Sequence, residues 1–260
     1  MKVQVLISTM HQKDYSLLDI MNIQTDAIVV NQCDENRIDE FEYKGHAVKW
    51  ISLKERGVGL SRNTAMMRAD ADILLFADDD VVYEDGYEDK VLQAFSENSQ
   101  ADIIVFNLQS LNAERPEYID TKNRKLHLFN CLRYGAFRIA IRRSTVLRAN
   151  ITYSLLFGGG AKYQAGEDNL FITNCLQKGL KGLASVECLG TVKQETSTWF
   201  KGYNDKYYFD KGALFAAMYG KCAKFFLILF ELKSCKRKQN FCLYQRYGLE
   251  KKGLSNFYKE

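Results

Sequence analysis

The sequence has a single proline, Pro116, and no repeat or low-complexity tract. Repeat arrays and Pro-rich linkers are thereby excluded. Its seven cysteines are an odd number, with no CxxC pair. That argues against a disulfide framework and for reduced thiols, as in a cytoplasmic compartment. No run reaches the ~20 consecutive apolar residues of a membrane span. The opening stretch Met1–Ile7 is too short and too interrupted for a signal peptide and begins a strand at once. Net charge is only +4. Basic residues do not gather into a stripe before the C-terminus, so no nucleic-acid partner is expected. What remains is a chain of 260 residues with 47% hydrophobic content, enough for one α/β domain with a small appendage.

The most informative stretch is Ile73-Leu74-Leu75-Phe76-Ala77 followed by Asp78, Asp79 and Asp80. A short apolar run bounded this way is the mark of a buried strand in a largely parallel sheet. Such sheets bind ligands just past the carboxyl ends of their strands. Adjacent carboxylates repel, by about 1 kcal/mol per pair ~4 Å apart in water and more where water is excluded. A hard cation removes that cost, and Mg²⁺ typically uses one or two carboxylates plus substrate phosphates. If the strand stays extended, Asp78 and Asp80 point one way and Asp79 the other.

Around this stretch strands and helices alternate. Strands are expected at Val3–Ser8, Ala27–Asn31, Val48–Leu53, Ile103–Leu108, Gly135–Arg142 and Leu183–Leu189. Helices are expected around Ser16–Gln24, after the glycine-bearing loop at Gly57 as far as Arg68, over Asp85–Glu97, and from Glu167. Leu111–Lys125 is polar and is expected to be a loop, and Phe157–Gly166 a flexible one. The alternation predicts a doubly wound, mostly parallel sheet with helices on both faces. The expected division is a catalytic domain over 1–200, with a nucleotide-binding half at 1–108 and an acceptor half at 109–200. A helical, basic and aromatic extension follows over 201–260. Within it, Phe225–Phe230 is an apolar helix flanked by Lys233, Lys236, Arg237 and Lys238. It suits either packing on the domain or a peripheral contact with an anionic membrane surface or a partner.

Three segments in order carry a resemblance. They are Gly57-Val58-Gly59-Leu60-Ser61-Arg62-Asn63, Phe76-Ala77-Asp78-Asp79-Asp80 and Gly166-Glu167-Asp168-Asn169-Leu170-Phe171. Over roughly residues 3 to 200 the chain resembles the family-2 inverting glycosyltransferases of the GT-A fold. The segments look like that family's glycine loop with Ser-Arg-Asn, its DxD motif and its Glu-Asp acceptor motif. The resemblance implies a UDP-sugar donor and a saccharide acceptor, with a lipid-linked oligosaccharide as the expected form. Thr9 would lie by the nucleotide and Asp34 would contact the uracil. Arg62 and Asn63 would hold the base and diphosphate region. Asp78 would lie near the ribose or donor sugar, with Asp79 in the same donor-binding set. Asp80 would bind Mn²⁺ or Mg²⁺, Asp168 would be the catalytic base, and Glu167 would orient the acceptor or a loop.

The residue types suit that chemistry. Displacing a nucleoside diphosphate from a sugar carbon builds negative charge that a divalent ion or Arg62 would stabilise. A positioned carboxylate would take the proton of the attacking hydroxyl. There are departures from the family pattern. No histidine follows the last strand, where Gln194 or Glu195 would have to substitute as a metal ligand. Asn31-Gln32-Cys33-Asp34 lacks the usual Asp-Asp-Gly-Ser turn. There is no QxxRW motif, which argues against a processive synthase. Two other classes compete: a haloacid-dehalogenase-type phosphatase using Asp78 and Asp80, and a non-catalytic binding protein.

Overall fold

A computed structural model describes residues 1–194, 202–234 and 243–259, with backbone alone at 233, 234 and 243. Glu195, Trp199, Lys236, Arg237, Lys238 and the Lys233 side chain lie outside the described residues.

The strands are β1 (Val3–Met10), β2 (Asp26–Gln32), β3 (Arg37–Tyr43), β4 (His46–Leu53), β5 (Ile73–Asp78), β6 (Val81–Tyr83), β7 (Ile103–Ser110), β8 (Arg124–Lys125), β9 (Ile139–Arg142) and β10 (Gly182–Val192). The helices are α1 (Leu17–Ile20), α2 (Val58–Arg68), α3 (Tyr87–Glu97), α4 (Arg143–Arg148), α5 (Glu167–Gln177), α6 (Asp205–Tyr219), α7 (Ala223–Ser234) and α8 (Leu243–Phe257). Among the described residues the strands form one ten-stranded sheet in the order β3-β4-β2-β1-β5-β9-β7-β10-β6, with β8 on β10. β4, β2, β1 and β5 run parallel. β9 lies antiparallel between β5 and β7, and β10 runs parallel to β7.

Burial on both faces explains the unbroken apolar runs of β1 and β5. Val5, Ile7, Leu75 and Ala77 point to one side, where α1 and α3 supply Leu18, Tyr87, Val91 and Phe95. Leu6, Leu74 and Phe76 point to the other, against Ala65 and Met66 of α2 and Phe171 of α5. This is the period-two alternation of a strand covered on both sides. The register sets Ser8 beside Asp78 and Thr9 beside Asn31, so the carboxyl ends of β1, β2 and β5 open together.

Several local expectations are corrected. The first helix is one turn, because Asn22 takes a left-handed φ of 53°. The polar stretch after Asn36 forms β3, an edge strand joined to β4 by a two-residue hairpin at Lys44 and Gly45, both with positive φ. Gly135–Arg142 is a strand only from Ile139, since Ala136–Arg138 forms a 3₁₀ turn. The stretch 111–125 is a loop, as expected, up to β8, and it is fastened to the core. Buried Arg138 donates to the carbonyls of Phe106 (2.7 Å) and Tyr118 (2.8 Å). Asn107 exchanges side chain–backbone hydrogen bonds with Asp120.

The C-terminal helices pack on α5 and on the loop before it. Ala213, Ala216, Leu227 and Leu254 form a third core with Phe157, Tyr163 and Leu170. α6 and α8 cross closely at two glycines. A Cβ on Gly212 would come 1.8 Å from the Glu250 carbonyl, and one on Gly253 would come 1.9 Å from that of Phe209. Asp205–Leu232, broken by a 3₁₀ turn at Gly220–Cys222, meets the length and composition of a membrane span, a measure that a packed core helix also meets, and part of it is buried in the third core.

Candidate active site

A cleft of about 1120 Å³ lies at the carboxyl ends of β1 and β5. Thr9, Arg62, Asp78, Asp79, Asp80, Glu167 and Asp168 all line it, drawn from β1, α2, β5 with its turn, and α5.

Arg62 is the hub. Its side chain is 4% exposed, and it donates to Asp78 Oδ1 at 2.7 Å and to Glu167 Oε1 at 2.8 Å. It therefore ties the end of β5 to the first turn of α5. The guanidinium also lies 5.3 Å from the Tyr153 ring centroid. Burial opposes the charge, but Asp78 and Glu167 outweigh it and raise the pKa above the ordinary arginine value. Ser61, one residue earlier, bonds Ser8 at 3.0 Å and pins α2 to β1.

The expectation that Asp79 points away from its neighbours is corrected. β5 ends at Asp78, and Asp79 and Asp80 form a turn into β6, so the extended alternation stops and all three carboxylates line the cleft. Each has a different partner. Asp78 takes Arg62, and Asp79 accepts from Thr9 Oγ1 at 2.5 Å. The Asp80 carboxylate accepts from the Gln194 backbone N–H at 3.2 Å, and among the described residues no side chain pairs with it. Burial and then the nearby Asp78 push the Asp80 carboxyl up to about 6. Burial likewise raises Asp79, with Thr9 opposing. The turn thus holds a carboxylate with spare acceptor capacity and a raised proton affinity, a donor set that fits a hard cation shared with phosphate oxygens. Among the described residues no cluster of three or more His, Cys, Asp or Glu would hold a metal by itself.

α5 begins at Gly166, whose φ is 102°, and presents Glu167 and Asp168 in its first turn. Asp168 is partly open to the cleft, and its Oδ1 accepts from the Asn169 N–H at 2.7 Å. Burial, then the adjacent Glu167, push its carboxyl well above the usual range, while Arg62 opposes. A carboxylate of raised basicity at the cleft wall is suited to taking a proton.

The two glycine loops interlock. Val58 N–H donates to the Gly159 carbonyl at 2.9 Å. A Cβ on Gly158 would meet Val58 at 2.6 Å and Glu167 at 2.8 Å. Phe157 and Tyr163 stack beneath with centroids 4.8 Å apart. The 157–166 segment is a loop, as expected, anchored by buried Phe157 and Tyr163.

Two expected residues stand outside the cleft lining. The Asp34 side chain is 94% exposed and pairs with Arg56 at 2.7 Å. Asn63 spends both ends of its amide on the Tyr153 backbone, at 2.9 and 2.8 Å, and so secures the 153 region to α2. Other lining residues gave no sequence signal. Lys193, Arg115 and Arg133 bring positive charge to the cleft, and Gln164, Tyr207 and Lys211 extend it towards α6. Gln194 reaches Asp80 through its backbone, and its side-chain amide goes to Glu117 at 2.6 Å.

The mostly parallel sheet with helices packed on both faces is the fold of the GT-A glycosyltransferases. The glycosyl transferase family 2 model matches residues 16–155, more than half of the chain, and the chain belongs to that family. No curated protein matches it. Among solved structures it is similar to TarS of S. aureus, residues 1–349, in complex with UDP-GlcNAc (TM-score 0.60, 14% identity, 100% of this chain and 73% of that one). The UDP complex of the same fragment gives a TM-score of 0.58 at 13% identity, over 100% of this chain and 72% of that one. A longer TarS structure gives 0.56 at 14% identity, over 99% and 43%. At these identities the likeness shows the fold.

Proposed function

We propose that this glycosyltransferase moves a sugar from a UDP-sugar to a saccharide hydroxyl by single displacement with inversion. The observation that carries the reading is the Arg62 bridge. One buried guanidinium joins the donor-side Asp78 to the acceptor-side Glu167, so both halves of a transfer site share one cleft. Structures of TarS with UDP and with UDP-GlcNAc support the choice of donor.

In this reading Thr9, Asp78 and Asp79 line the nucleotide and sugar pocket, and Arg62 fixes the position of Asp78. Asp80 would hold Mn²⁺ or Mg²⁺ together with the donor diphosphate. The cation would offset charge on the leaving group as a Lewis acid. Lys193, Arg115 and Arg133 add positive charge to the same cleft. Asp168 takes the proton of the acceptor hydroxyl as the new C–O bond forms and the bond from the sugar carbon to the diphosphate oxygen breaks. Glu167, held by Arg62, fixes the start of α5 and with it the position of Asp168. The acceptor is expected to be a saccharide, with a lipid-linked glycan as the form proposed. Asp34 and Asn63 keep the supporting positions described for them: Asp34 on the rim, Asn63 behind the wall.

The phosphatase alternative would make Asp78 the nucleophile. That is disfavoured by its charge-assisted bond to Arg62 and by membership of a glycosyltransferase family. The test is release of UDP from a panel of UDP-sugars with saccharide acceptors. Asp168→Asn is expected to keep donor binding and lose turnover by about 10²–10⁴-fold. Unchanged turnover would remove Asp168 from the role of base.

A further inference from the structure

The C-terminal helices sort their charges by sign. Asp210, Glu231 and Glu250 are buried. Lys206 pairs with Asp210 at 2.8 Å, and Lys211 reaches Glu231 at 2.6 Å and Glu250 at 2.8 Å. The lysines left on the outside are Lys221, Lys224, Lys251, Lys252 and Lys259, while Asp205 is the one exposed acid among the described residues of 202–259. This region is therefore more cationic at its surface than its composition implies.

α7 adds an apolar stripe. Phe225, Ile228 and Leu232 are 60%, 44% and 62% exposed. Their spacing of three and four places them on one helix face. Phe129, 58% exposed, meets the same helix through its ring contact with Phe226, at 5.3 Å. Scattered exposed apolar residues are ordinary, but a row of three along one helix face, with exposed Lys221 and Lys224 at its N-terminal end, is a candidate docking surface.

We infer that the outer face of α7 docks on an anionic lipid bilayer, lying in the interface plane and holding the cleft at the membrane surface. Spanning is disfavoured by the opposite face of the same helix. Ala223 and Leu227 are buried in the protein, and Glu231 is held by Lys211. Withdrawing α7 into the bilayer would strip that ion pair. An amphipathic helix with apolar anchors and flanking lysines binds through both terms, insertion and attraction to anionic headgroups. The inference does not depend on the sugar donor or on the reaction.

The test is co-sedimentation of the full chain with phosphatidylcholine vesicles made with and without phosphatidylglycerol. Binding is expected only with the anionic lipid and is expected to weaken as salt rises. The combined variant Phe225→Gln, Ile228→Gln, Leu232→Gln should bind at least about tenfold more weakly, because apolar insertion is lost. Lys221→Gln with Lys224→Gln, which leaves the apolar stripe intact, should also weaken binding and flatten its salt dependence. Circular dichroism melting shows whether each variant is folded. If the apolar variant unfolds, the lysine variant decides. No pelleting of the wild type, or equal pelleting on neutral and anionic vesicles, would overturn the proposal. So would a dimer in sedimentation velocity that the apolar variant abolishes in a protein that ignores vesicles, since the face would then be covered by a second copy.

Discussion

At the scale of single residues, Arg62 and Asp168 carry opposite loads. Arg62, itself buried, neutralises two carboxylates at the cleft wall, Glu167 largely buried and Asp78 about a third exposed. Removing one member of a buried ion pair typically costs ~3–5 kcal/mol because the partner is left uncompensated. Arg62→Ala is expected to lose stability of that order in urea unfolding, and Arg62→Lys less, since it keeps the charge but not the two-pronged geometry. A loss below about 1 kcal/mol for Arg62→Ala, as for an exposed pair, would contradict the bridge. At Asp168 the pKa is raised as well, but there the shift favours the neutral form instead of the charged one. Its folded pKa is raised, so the folded state binds the proton more tightly than the unfolded chain does. Stability should therefore rise as pH falls from neutral towards the ordinary carboxylate range, a trend that Asp80 and Glu250 share. If Asp168 is the base, as proposed, turnover should fall over the same interval as it is protonated. Asp168→Asn should flatten part of the stability trend in melting curves taken across that range. A steeper trend in the variant would contradict the sign.

At the scale of elements, glycine decides how closely backbones approach. A Cβ on Gly59 would sit 2.3 Å from the Ser154 carbonyl, so Gly59→Ala must push apart α2 and the segment that Asn63 anchors. A lower melting temperature and weaker donor binding are expected together. The crossing of α6 and α8 gives a matched contrast. Gly212→Ala drives into the Glu250 carbonyl, whereas a Cβ on Gly248 meets nothing within 4 Å. Gly212→Ala should destabilise, and Gly248→Ala should stabilise by about 1 kcal/mol through helix propensity. If both variants melted alike, the close crossing would be wrong. The same scale explains β3. Its residues Arg37-Ile38-Asp39-Glu40-Phe41-Glu42-Tyr43 carry the charges of an edge strand, which hide it from a search for apolar runs. The Lys44-Gly45 turn was the available signal.

At the scale of the whole molecule, the residues legible in the sequence were those whose chemistry is local. Asp78 to Asp80 end an apolar strand, Arg62 follows a glycine loop, and Glu167 and Asp168 open a helix. Each has a context that can be read within a few residues. That Arg62 meets both Asp78 and Glu167 could not be read so, because 105 positions separate it from Glu167. Lys193, Arg115, Tyr207 and Lys211 were hidden for the same reason: only packing brings them to the cleft. For Asp34 the place after β2 suggests a base contact, and the pairing with Arg56 at the rim neither makes nor excludes one. The turn at Asp79 and Asp80 was likewise invisible to a strand periodicity that ends one residue earlier.

The central proposal is that Asp78, at the end of β5, with Asp79 and Asp80 in the turn after it, forms a nucleotide site that requires a divalent cation. The most direct measurement is calorimetric titration of UDP with and without Mn²⁺, on the wild type and on Asp80→Asn. The account predicts UDP binding that depends on Mn²⁺ and is abolished, or weakened by at least about tenfold, in Asp80→Asn. No UDP binding under any metal condition would contradict the UDP-sugar reading, and Mn²⁺-dependent binding that Asp80→Asn leaves intact would contradict the assignment of the cation to Asp80.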